Sequence, residues 1–161
     1  MPIPEPRESW DPWLEKFYTN PKRWCFTTHS KILLDFANTA YRTIVERSPW
    51  SVINVFVRRY FDMNYITEQE YRLLCQLYNL NGWEPDVIIY IKVSPKLCMA
   101  RIMEKTAPGE EPPVTIHDLE EFERYYENAL QYATQPVIRV NGEKNVSEQI
   151  QKSLDKLIQQ E

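Results

Sequence analysis

Apolar and polar residues follow two periods along this chain, one typical of helices and one of buried strands. Apolar positions three and four residues apart predict helices over residues 14–18, 27–41, 51–61, 67–79, 95–105, 116–132 and 147–158. Short β-branched runs predict strands over residues 41–45, 86–93 and 136–140. Strands separated by helices are typical of a parallel sheet with helices on both faces, so the pattern predicts an α/β fold.

Local signals mark the ends of several of these helices. Asp11-Pro12 offers an N-cap and a first-turn proline, and Asn20-Pro21 ends the helix that follows. Thr67-Glu68-Gln69-Glu70 matches a capping box, and Ser94-Pro95 matches a helix start. Two helices place their apolar side chains on one face, which predicts these as inward residues: Ile53, Phe56, Val57 and Tyr60, then Ile150, Leu154, Leu157 and Ile158.

Composition narrows the kind of protein. With 161 residues, 43% of them hydrophobic, the chain suits one domain with a real core. A net charge of −4 argues against a nucleic-acid-binding surface, and no apolar run is long enough to span a bilayer. Cys25, Cys75 and Cys98 lack metal-ligand spacing, which favours free thiols in a reducing compartment. A cytoplasmic setting fits best, and the nucleus and the mitochondrion stay open.

A charged corner follows the first predicted strand. Thr43-Ile44-Val45 leads directly into Glu46-Arg47-Ser48, and open α/β sheets bind ligands at the carboxyl ends of their strands. A phosphate-binding loop would have the pattern G-x-x-x-x-G-K-[ST]. The sequence has three glycines, none of which precedes a lysine, so this motif is absent from it.

Several segments, taken in order, resemble the deoxynucleoside kinase family. Pro4-Glu5-Pro6 followed by Trp10 resembles the family's Glu-Pro-x-x-x-Trp segment, and Glu46-Arg47-Ser48 resembles its Glu-Arg-Ser motif. Residues 14–18, 20–24 and 85–90 continue the match. The resemblance implies a three-layer, P-loop-kinase-like parallel sheet with helices on both faces. It also implies that residues 1–161 form a single domain without the family's first, central strand and its P-loop.

The absent strand is itself a prediction that needs an explanation. A parallel sheet without its central strand would leave backbone groups without partners, at roughly 1–3 kcal/mol for each buried group. A truncated sequence is the favoured explanation. A partner chain that supplies the strand and a rearranged fold are the alternatives.

The resemblance implies ATP-dependent phosphorylation of the 5′-hydroxyl of a deoxynucleoside, with Mg²⁺. It makes Glu5 the base that takes the hydroxyl proton. Arg47 becomes the cation on the phosphate and the 5′-oxygen, and Glu46 the residue nearest the metal. The residues alone leave two alternatives, which are Glu5 as a solvated acid in a proline-rich segment and Glu46 with Arg47 as a structural ion pair.

The resemblance also implies a nucleoside pocket. Trp10 would wall this pocket, Tyr18 would meet the sugar 3′-hydroxyl, and Phe56 would stack on the base. His29 stands where the family commonly has a base-reading glutamine, and a neutral histidine offers one donor and one acceptor. His29 is therefore either an altered base-reading residue or a sign that the pocket no longer binds a nucleoside. Plain core packing is the alternative for the aromatic residues, because they occur at helical spacing.

The predicted lid of the site has fewer basic residues than the lid of the family. Arg101 and Lys105 match two of the family's lid cations, while Thr106-Ala107 replaces further basic residues. Glu111 matches an acid that also meets the 3′-hydroxyl, and Glu110 competes with it for that assignment. An exposed helix face and solvated acids are the alternatives.

Two functions follow from these observations. The first is a deoxynucleoside kinase that acts on a deoxynucleoside and is inactive as this chain alone. The alternative is a non-catalytic nucleoside-binding or scaffold protein. The resemblance further implies a homodimer, and the apolar faces near residues 32–36 and 53–60 would permit one.

Overall fold

The computed structural model describes residues 3–37, 44–110 and 112–159. The chain divides into unit 1 (Met1–Pro85) and unit 2 (Asp86–Glu161). Within these residues, unit 1 combines helices with one isolated parallel β-bridge, and unit 2 contains a two-stranded parallel sheet with its helices. The predicted α/β class with parallel strand pairing is confirmed. No helix in the described part of the chain is both long enough and apolar enough to cross a membrane.

Unit 1 is built mainly from helices. In chain order these are α1 (Arg7–Thr19), α2 (Pro21–Ala37), α3 (Pro49–Ser51), a π-helical segment (Val52–Val57), α4 (Arg58–Asp62) and α5 (Glu68–Asn81). α1 packs on α2, and α2 packs on α5. The core of unit 1 includes the buried side chains of Trp10, Phe17, Ile32, Leu33, Phe36, Val55, Val57 and Leu74.

The first helix begins earlier than its sequence signals predict. α1 starts at Arg7, so the predicted N-cap at Asp11 is wrong and Pro12 lies inside the helix. The physical reason is burial of Trp10, which is 1% exposed and whose indole N–H donates to Asp35 Oδ2 at 3.0 Å. Burial of Trp10 therefore stabilises the first turn of α1, although Pro12 cannot donate a helical hydrogen bond to that turn.

Asn20 ends α1, as predicted, but the second helix starts immediately after it. α2 begins at Pro21, six residues before the predicted start at residue 27. Proline is favourable at the first helical position because its missing N–H would have no helical partner there. The Asn20 side chain also accepts a hydrogen bond from the backbone N–H of Arg23 at 3.3 Å.

The predicted helix over residues 51–61 is confirmed, with a change of winding. The chain is helical from Pro49 to Asp62, and its centre, Val52–Val57, is a π-helix. Ile53, Val57 and Tyr60 are buried as predicted, whereas Phe56 is half-buried. π-helical turns are rare and occur frequently at functional sites.

The first predicted strand is described only at its end, because residues 41–43 lie outside the described residues. Val45 pairs with Ile3 in a parallel bridge. The Ile3 N–H donates to the Ile44 carbonyl at 2.8 Å, and the Glu46 N–H donates to the Ile3 carbonyl at 3.0 Å. This pairing places the segment that contains Glu5 beside the charged corner.

Unit 2 contains β1 (Ile88–Lys92), α6 (Pro95–Lys105), α7 (Ile116–Gln131), β2 (Val137–Asn141) and α8 (Val146–Ile158). β1 and β2 are parallel, with Ile88 opposite Val137. α6 packs on α7, and α8 packs on β2. The predicted strands and helices of this unit are confirmed to within a few residues.

One inward residue predicted in unit 2 is wrong. Ile150, Leu154 and Leu157 are half-buried, but Ile158 is 71% exposed. α8 has 13 residues and β2 has 5. These counts correspond to roughly 20 Å of helix against about 16 Å of strand. The last helical turn therefore extends past the strand on which α8 packs.

Candidate active site

Two short segments form an open pocket in unit 1. Residues 3–6 and 44–47 lie side by side because of the bridge between Ile3 and Val45. The pocket is lined by Ile3, Pro4, Glu5, Pro6, Phe36, Val45, Glu46 and Arg47. The structure thus brings together the proline-rich segment and the Glu-Arg-Ser corner, which are about forty positions apart in the sequence.

Glu5 is the buried acid of this pocket. Its side chain is 7% exposed, so the alternative of a solvated acid is wrong. Arg47 Nε lies 2.7 Å from Glu5 Oε1, and an Arg7 guanidinium nitrogen lies 4.0 Å from Oε2. Oε1 nevertheless accepts no hydrogen bond from the described residues. The carboxylate is therefore paired by charge and keeps an acceptor position open.

Glu46 and Arg47 do not pair with each other among the described residues, so the alternative of a Glu46–Arg47 ion pair is wrong. Arg47 contacts Glu5, and Glu46 Oε2 accepts a hydrogen bond from the backbone N–H of Glu5 at 3.2 Å. The guanidinium carbon of Arg47 also lies 4.1 Å from the centre of the Phe56 ring. A guanidinium held against both a carboxylate and an aromatic face has a defined direction.

Trp10 lies behind the pocket and is fixed by a polar cluster on α2. Asp35 accepts hydrogen bonds from the Trp10 indole at 3.0 Å and the Ser9 hydroxyl at 3.2 Å. Lys31 contacts both oxygens of Asp35. The Trp10 ring meets Phe36, which lines the pocket, edge-on at 5.5 Å. Asp35 was not predicted as a site residue, although its helical spacing from Lys31 is a visible signal.

His29 is buried in an aromatic cage. It is 4% exposed, and its ring lies 5.5 Å from Phe17 and 5.1 Å from Tyr60. Its Nδ1 lies 2.8 Å from the Cys25 carbonyl oxygen. Burial lowers the pKa of His29 from 6.5 to about 4. The hydrogen bond to Cys25 opposes this shift, and the charge of Arg47 adds to it.

Tyr18 is exposed, unlike the buried Trp10 and His29. Tyr18 is 59% exposed and packs its ring 5.4 Å from Phe17. Tyr18 and Arg47 are both close enough to act electrostatically on Tyr60, a buried residue that was not predicted as part of the site. Burial is the main cause that raises the pKa of the Tyr60 hydroxyl. Its proton therefore stays in place at neutral pH.

The predicted lid residues belong to unit 2. Arg101 and Lys105 are exposed and lie one turn apart on α6. Glu110 is exposed and follows Gly109, which has a φ of 90°. Glu111 lies outside the described residues.

The described residues offer little for a resident metal ion. They contain no group of three or more His, Cys, Asp or Glu side chains that could hold one. Mg²⁺ in phosphate chemistry usually binds one or two carboxylates together with substrate phosphates and waters. A single exposed carboxylate such as Glu46 fits that limited requirement.

Comparisons with known proteins give consistent results. Residues 2–161 match the family model described as deoxynucleoside kinase. The chain is 30% identical over 165 residues to the probable deoxycytidine kinase FPV151 of fowlpox virus (strain NVSL), covering 88% of this chain and 68% of that protein. It is 29% identical over 114 residues to protein 029R of Invertebrate iridescent virus 3, a candidate kinase by its name, covering 66% of this chain.

The chain spans 58% of the length of protein 029R, which is less than two thirds of that relative. Its fold is similar to that of deoxyadenosine kinase from M. mycoides with bound dCTP. The TM-score is 0.79 at 23% sequence identity, and the similarity covers 98% of this chain and 86% of that chain.

Proposed function

Because the chain belongs to the deoxynucleoside kinase family, we propose that it forms the nucleoside side of a phosphotransferase site. The reaction is ATP-dependent phosphorylation of a deoxynucleoside 5′-hydroxyl. The observation that supports it is the buried Glu5 carboxylate, whose Oε1 lies 2.7 Å from Arg47 Nε and accepts no hydrogen bond within the described part of the chain.

In this proposal Glu5 is the general base and Arg47 the neighbouring cation. The 5′-hydroxyl donates a hydrogen bond to Oε1 and passes its proton there as its oxygen attacks the γ-phosphorus. The bond to the β-phosphate oxygen breaks, and ADP leaves with that electron pair. Arg47, 29% exposed, lies next to the attacking oxygen and offers positive charge to the phosphoryl oxygens.

The nucleoside lies among the aromatic residues in the same proposal. Phe56 stacks on the base, with Arg47 over its ring, and Trp10 supports the pocket wall through Phe36. Tyr18 presents an exposed hydroxyl to the sugar 3′-hydroxyl, and Glu111 serves the same group. His29 reads the base edge.

ATP contacts are proposed for Arg101, Lys105 and, through Mg²⁺, Glu46. The 161 residues contain no G-x-x-x-x-G-K-[ST] motif, whose backbone amides and lysine would cradle the β- and γ-phosphates. We therefore propose that these residues alone bind a deoxynucleoside and do not turn it over.

Calorimetry on the 161-residue chain tests this proposal. The names of the relatives make deoxycytidine and deoxyadenosine the first ligands to use. At least one of them is expected to bind, and Phe56→Ala should weaken that binding about tenfold or more through lost stacking. Phe61→Ala is the matched control, because Phe61 stacks on Tyr71 instead. Saturable ATP binding by the chain would contradict the proposal that these 161 residues cannot hold the β- and γ-phosphates of ATP.

Catalysis is tested in a form of the protein that includes a phosphate loop. That form is expected to phosphorylate the bound deoxynucleoside, and Arg47→Ala should abolish turnover. Normal turnover in Arg47→Ala would contradict the proposed role of Arg47 as the cation next to the attacking oxygen.

A non-catalytic nucleoside-binding or scaffold protein is the second candidate. The absent phosphate-loop motif and the caged His29 favour it. Binding of no nucleoside by the chain would point to a scaffold. Nucleoside binding without turnover in the form with a phosphate loop would point to a binding protein.

A homodimer is a further proposal from the family. The two apolar faces predicted for it, near residues 32–36 and 53–60, contribute Ile32, Leu33, Ile53 and Tyr60 to the core of unit 1. A dimer would therefore use other residues. Sedimentation equilibrium at several concentrations tests the oligomeric state.

A further inference from the structure

The carboxylate of Asp35, on α2, accepts several hydrogen bonds at once. Its Oδ2 accepts from the Trp10 indole N–H at 3.0 Å and from the Ser9 hydroxyl at 3.2 Å. Lys31, one helical turn earlier, donates to Oδ1 at 2.5 Å and to Oδ2 at 2.6 Å. The Lys31 ammonium also donates to the Ser9 hydroxyl at 3.2 Å. These four side chains form a closed network that joins α1 to α2.

The network holds the first turn of α1, which continues directly from the pocket segment. The backbone N–H groups of Ser9 and Trp10 both donate to the Pro6 carbonyl, at 3.0 Å and 3.2 Å. The N–H of Arg7 donates to the Glu5 carbonyl at 2.8 Å. Because Pro6 and Glu5 line the pocket, a shift of this turn would move the Glu5 carboxylate with it.

The same network also orients the pocket wall. Trp10 is 1% exposed and meets Phe36 edge-on, with 5.5 Å between the ring centres. Phe36 follows Asp35 in α2 and lines the pocket. A buried indole N–H needs an acceptor, so the bond to Asp35 fixes the orientation of the Trp10 ring against Phe36.

Asp35 has these effects from outside the pocket, which it does not line in the described part of the chain. We propose that Asp35 is a positioning residue of the nucleoside site, which holds the Glu5 carboxylate and the wall of Trp10 and Phe36 in place without touching the nucleoside. This inference rests on the proposed function, because it takes the pocket as the place where a deoxynucleoside binds. A site that is held in its binding geometry needs less ordering when the ligand arrives, so it binds more tightly.

Two conservative substitutions separate the hydrogen bonds of Asp35 from its charge. Trp10 and Ser9 both donate to Oδ2, so in Asp35→Asn the amide oxygen can keep both bonds. The NH₂ group of that amide then faces Lys31, and the ion pair is lost. Asp35→Glu keeps the charge, but its extra methylene moves the carboxylate away from its present position. A positioning role therefore predicts tighter nucleoside binding by Asp35→Asn than by Asp35→Glu, whereas a role in stability through the ion pair predicts the reverse.

Calorimetry on the 161-residue chain, with deoxycytidine and deoxyadenosine, measures this order. We expect Asp35→Glu to weaken the binding that the unaltered chain shows by at least about tenfold, and Asp35→Asn to stay within about threefold. Asp62→Glu and Asp62→Asn are the matched controls and should leave the affinity unchanged. Asp62 pairs with Arg58, four residues earlier in its own helix, at 3.1 Å, and it does not line the described pocket.

Hydrogen exchange followed by NMR tests the anchoring of α1 without any ligand. The N–H groups of Ser9 and Trp10, which donate to Pro6, should exchange at least about tenfold faster in Asp35→Glu, relative to the N–H groups of α5. Their relative rates should not change in Asp62→Glu. Unchanged relative rates in Asp35→Glu would overturn the inference, because Asp35 would then not hold the first turn of α1.

The binding outcomes separate this inference from the proposed function. If Asp35→Glu binds the deoxynucleoside as tightly as the unaltered chain, or if Asp35→Asn binds no more tightly than Asp35→Glu, the inference is overturned and the proposed function stands. If the unaltered chain binds neither deoxynucleoside, the proposed function is overturned, and the role of Asp35 at that site with it.

Discussion

At the residue scale, the contact between Glu5 and Arg47 dominates the pocket. The Glu5 side chain is 7% exposed, and its next nearest cation, Arg7, is 4.0 Å away. Arg47→Ala would leave this carboxylate without its close counter-charge. We predict a loss of about 1–3 kcal/mol in the free energy of unfolding, measured by urea titration with tryptophan fluorescence.

Glu5→Gln supplies the matched background for that measurement. The amide is neutral and has a similar shape, so Arg47→Ala should cost clearly less when Gln occupies position 5. The contact of Arg47 with Phe56 is lost in both backgrounds and cancels in the comparison. Equal costs in the two backgrounds would show that the ion pair contributes nothing to stability.

His29 gives a second prediction at the residue scale. Its pKa in the folded chain is about 4, below the ordinary 6.5, so the unfolded chain binds more protons between these values. Stability should therefore fall as the pH drops from about 6.5 to about 4, by up to about 3 kcal/mol. Urea titrations across this range measure it.

The groups that face His29 do not titrate in that window. Burial raises the pKa of Cys25 to about 12, and burial is also the main cause that raises the pKa of Tyr60. His29→Gln should remove the loss of stability, whereas His117→Gln, on an exposed position of α7, should leave it unchanged. An equal loss in His29→Gln would assign the effect to carboxylates elsewhere.

At the element scale, the position of Pro12 in α1 can be tested. Pro12 is the sixth residue of a helix that starts at Arg7, so its missing N–H leaves the carbonyl of Glu8 without its helical donor. Pro12→Ala should raise the free energy of unfolding by about 1 kcal/mol or more. Thermal unfolding followed by circular dichroism measures it.

Pro95→Ala is the matched control for this prediction. Pro95 opens α6 at the first helical position, where no hydrogen bond is lost, so its replacement should be neutral or slightly destabilising. If Pro12→Ala were destabilising as well, α1 would begin near residue 11, as the sequence signals alone predict.

The same helices show which elements a sequence can specify. α5, α6 and α7 begin at or next to their predicted positions, because the signals that start them are local. In α5, Thr67 and Glu70 exchange both bonds of a capping box, and Ser94 caps α6 just before Pro95. The start of α1 was wrong, because it depends on burial of Trp10 against Asp35, 25 positions away.

The site shows the same division between local and distant causes. The hydrogen bond of His29 to Cys25 follows from their spacing of four residues in one helix. The contact of Glu5 with Arg47 depends on the pairing of Ile3 with Val45, which no local pattern reveals. Family motifs identified these two residues, but only their burial and distance show that Arg47 pairs with Glu5 instead of Glu46.

The π-helical winding of Val52–Val57 was also missed, because a short apolar run has no period that distinguishes it from an α-helix.

At the scale of the whole molecule, the open question is whether the two units unfold together. Unit 2 has few fully buried apolar residues in its described part, namely Leu130, Ile138 and Val140. So small a core is marginal for a domain that folds alone. The single domain that the sequence predicts for residues 1–161 stays a prediction, and the outcome it expects is one cooperative unfolding transition.

All five tryptophans lie at or before position 83, so tryptophan fluorescence reports on unit 1. Val140→Ala opens a cavity in unit 2, where Val140 is 2% exposed, and should cost about 1–3 kcal/mol. We predict that it lowers the fluorescence midpoint in urea as much as the midpoint measured by far-ultraviolet circular dichroism. Val57→Ala, the same change at a fully buried position of unit 1, is the control. If the fluorescence transition does not move in Val140→Ala, unit 2 unfolds separately. A cavity in unit 2 can leave the unfolding of unit 1 unchanged only if unit 1 folds independently of unit 2.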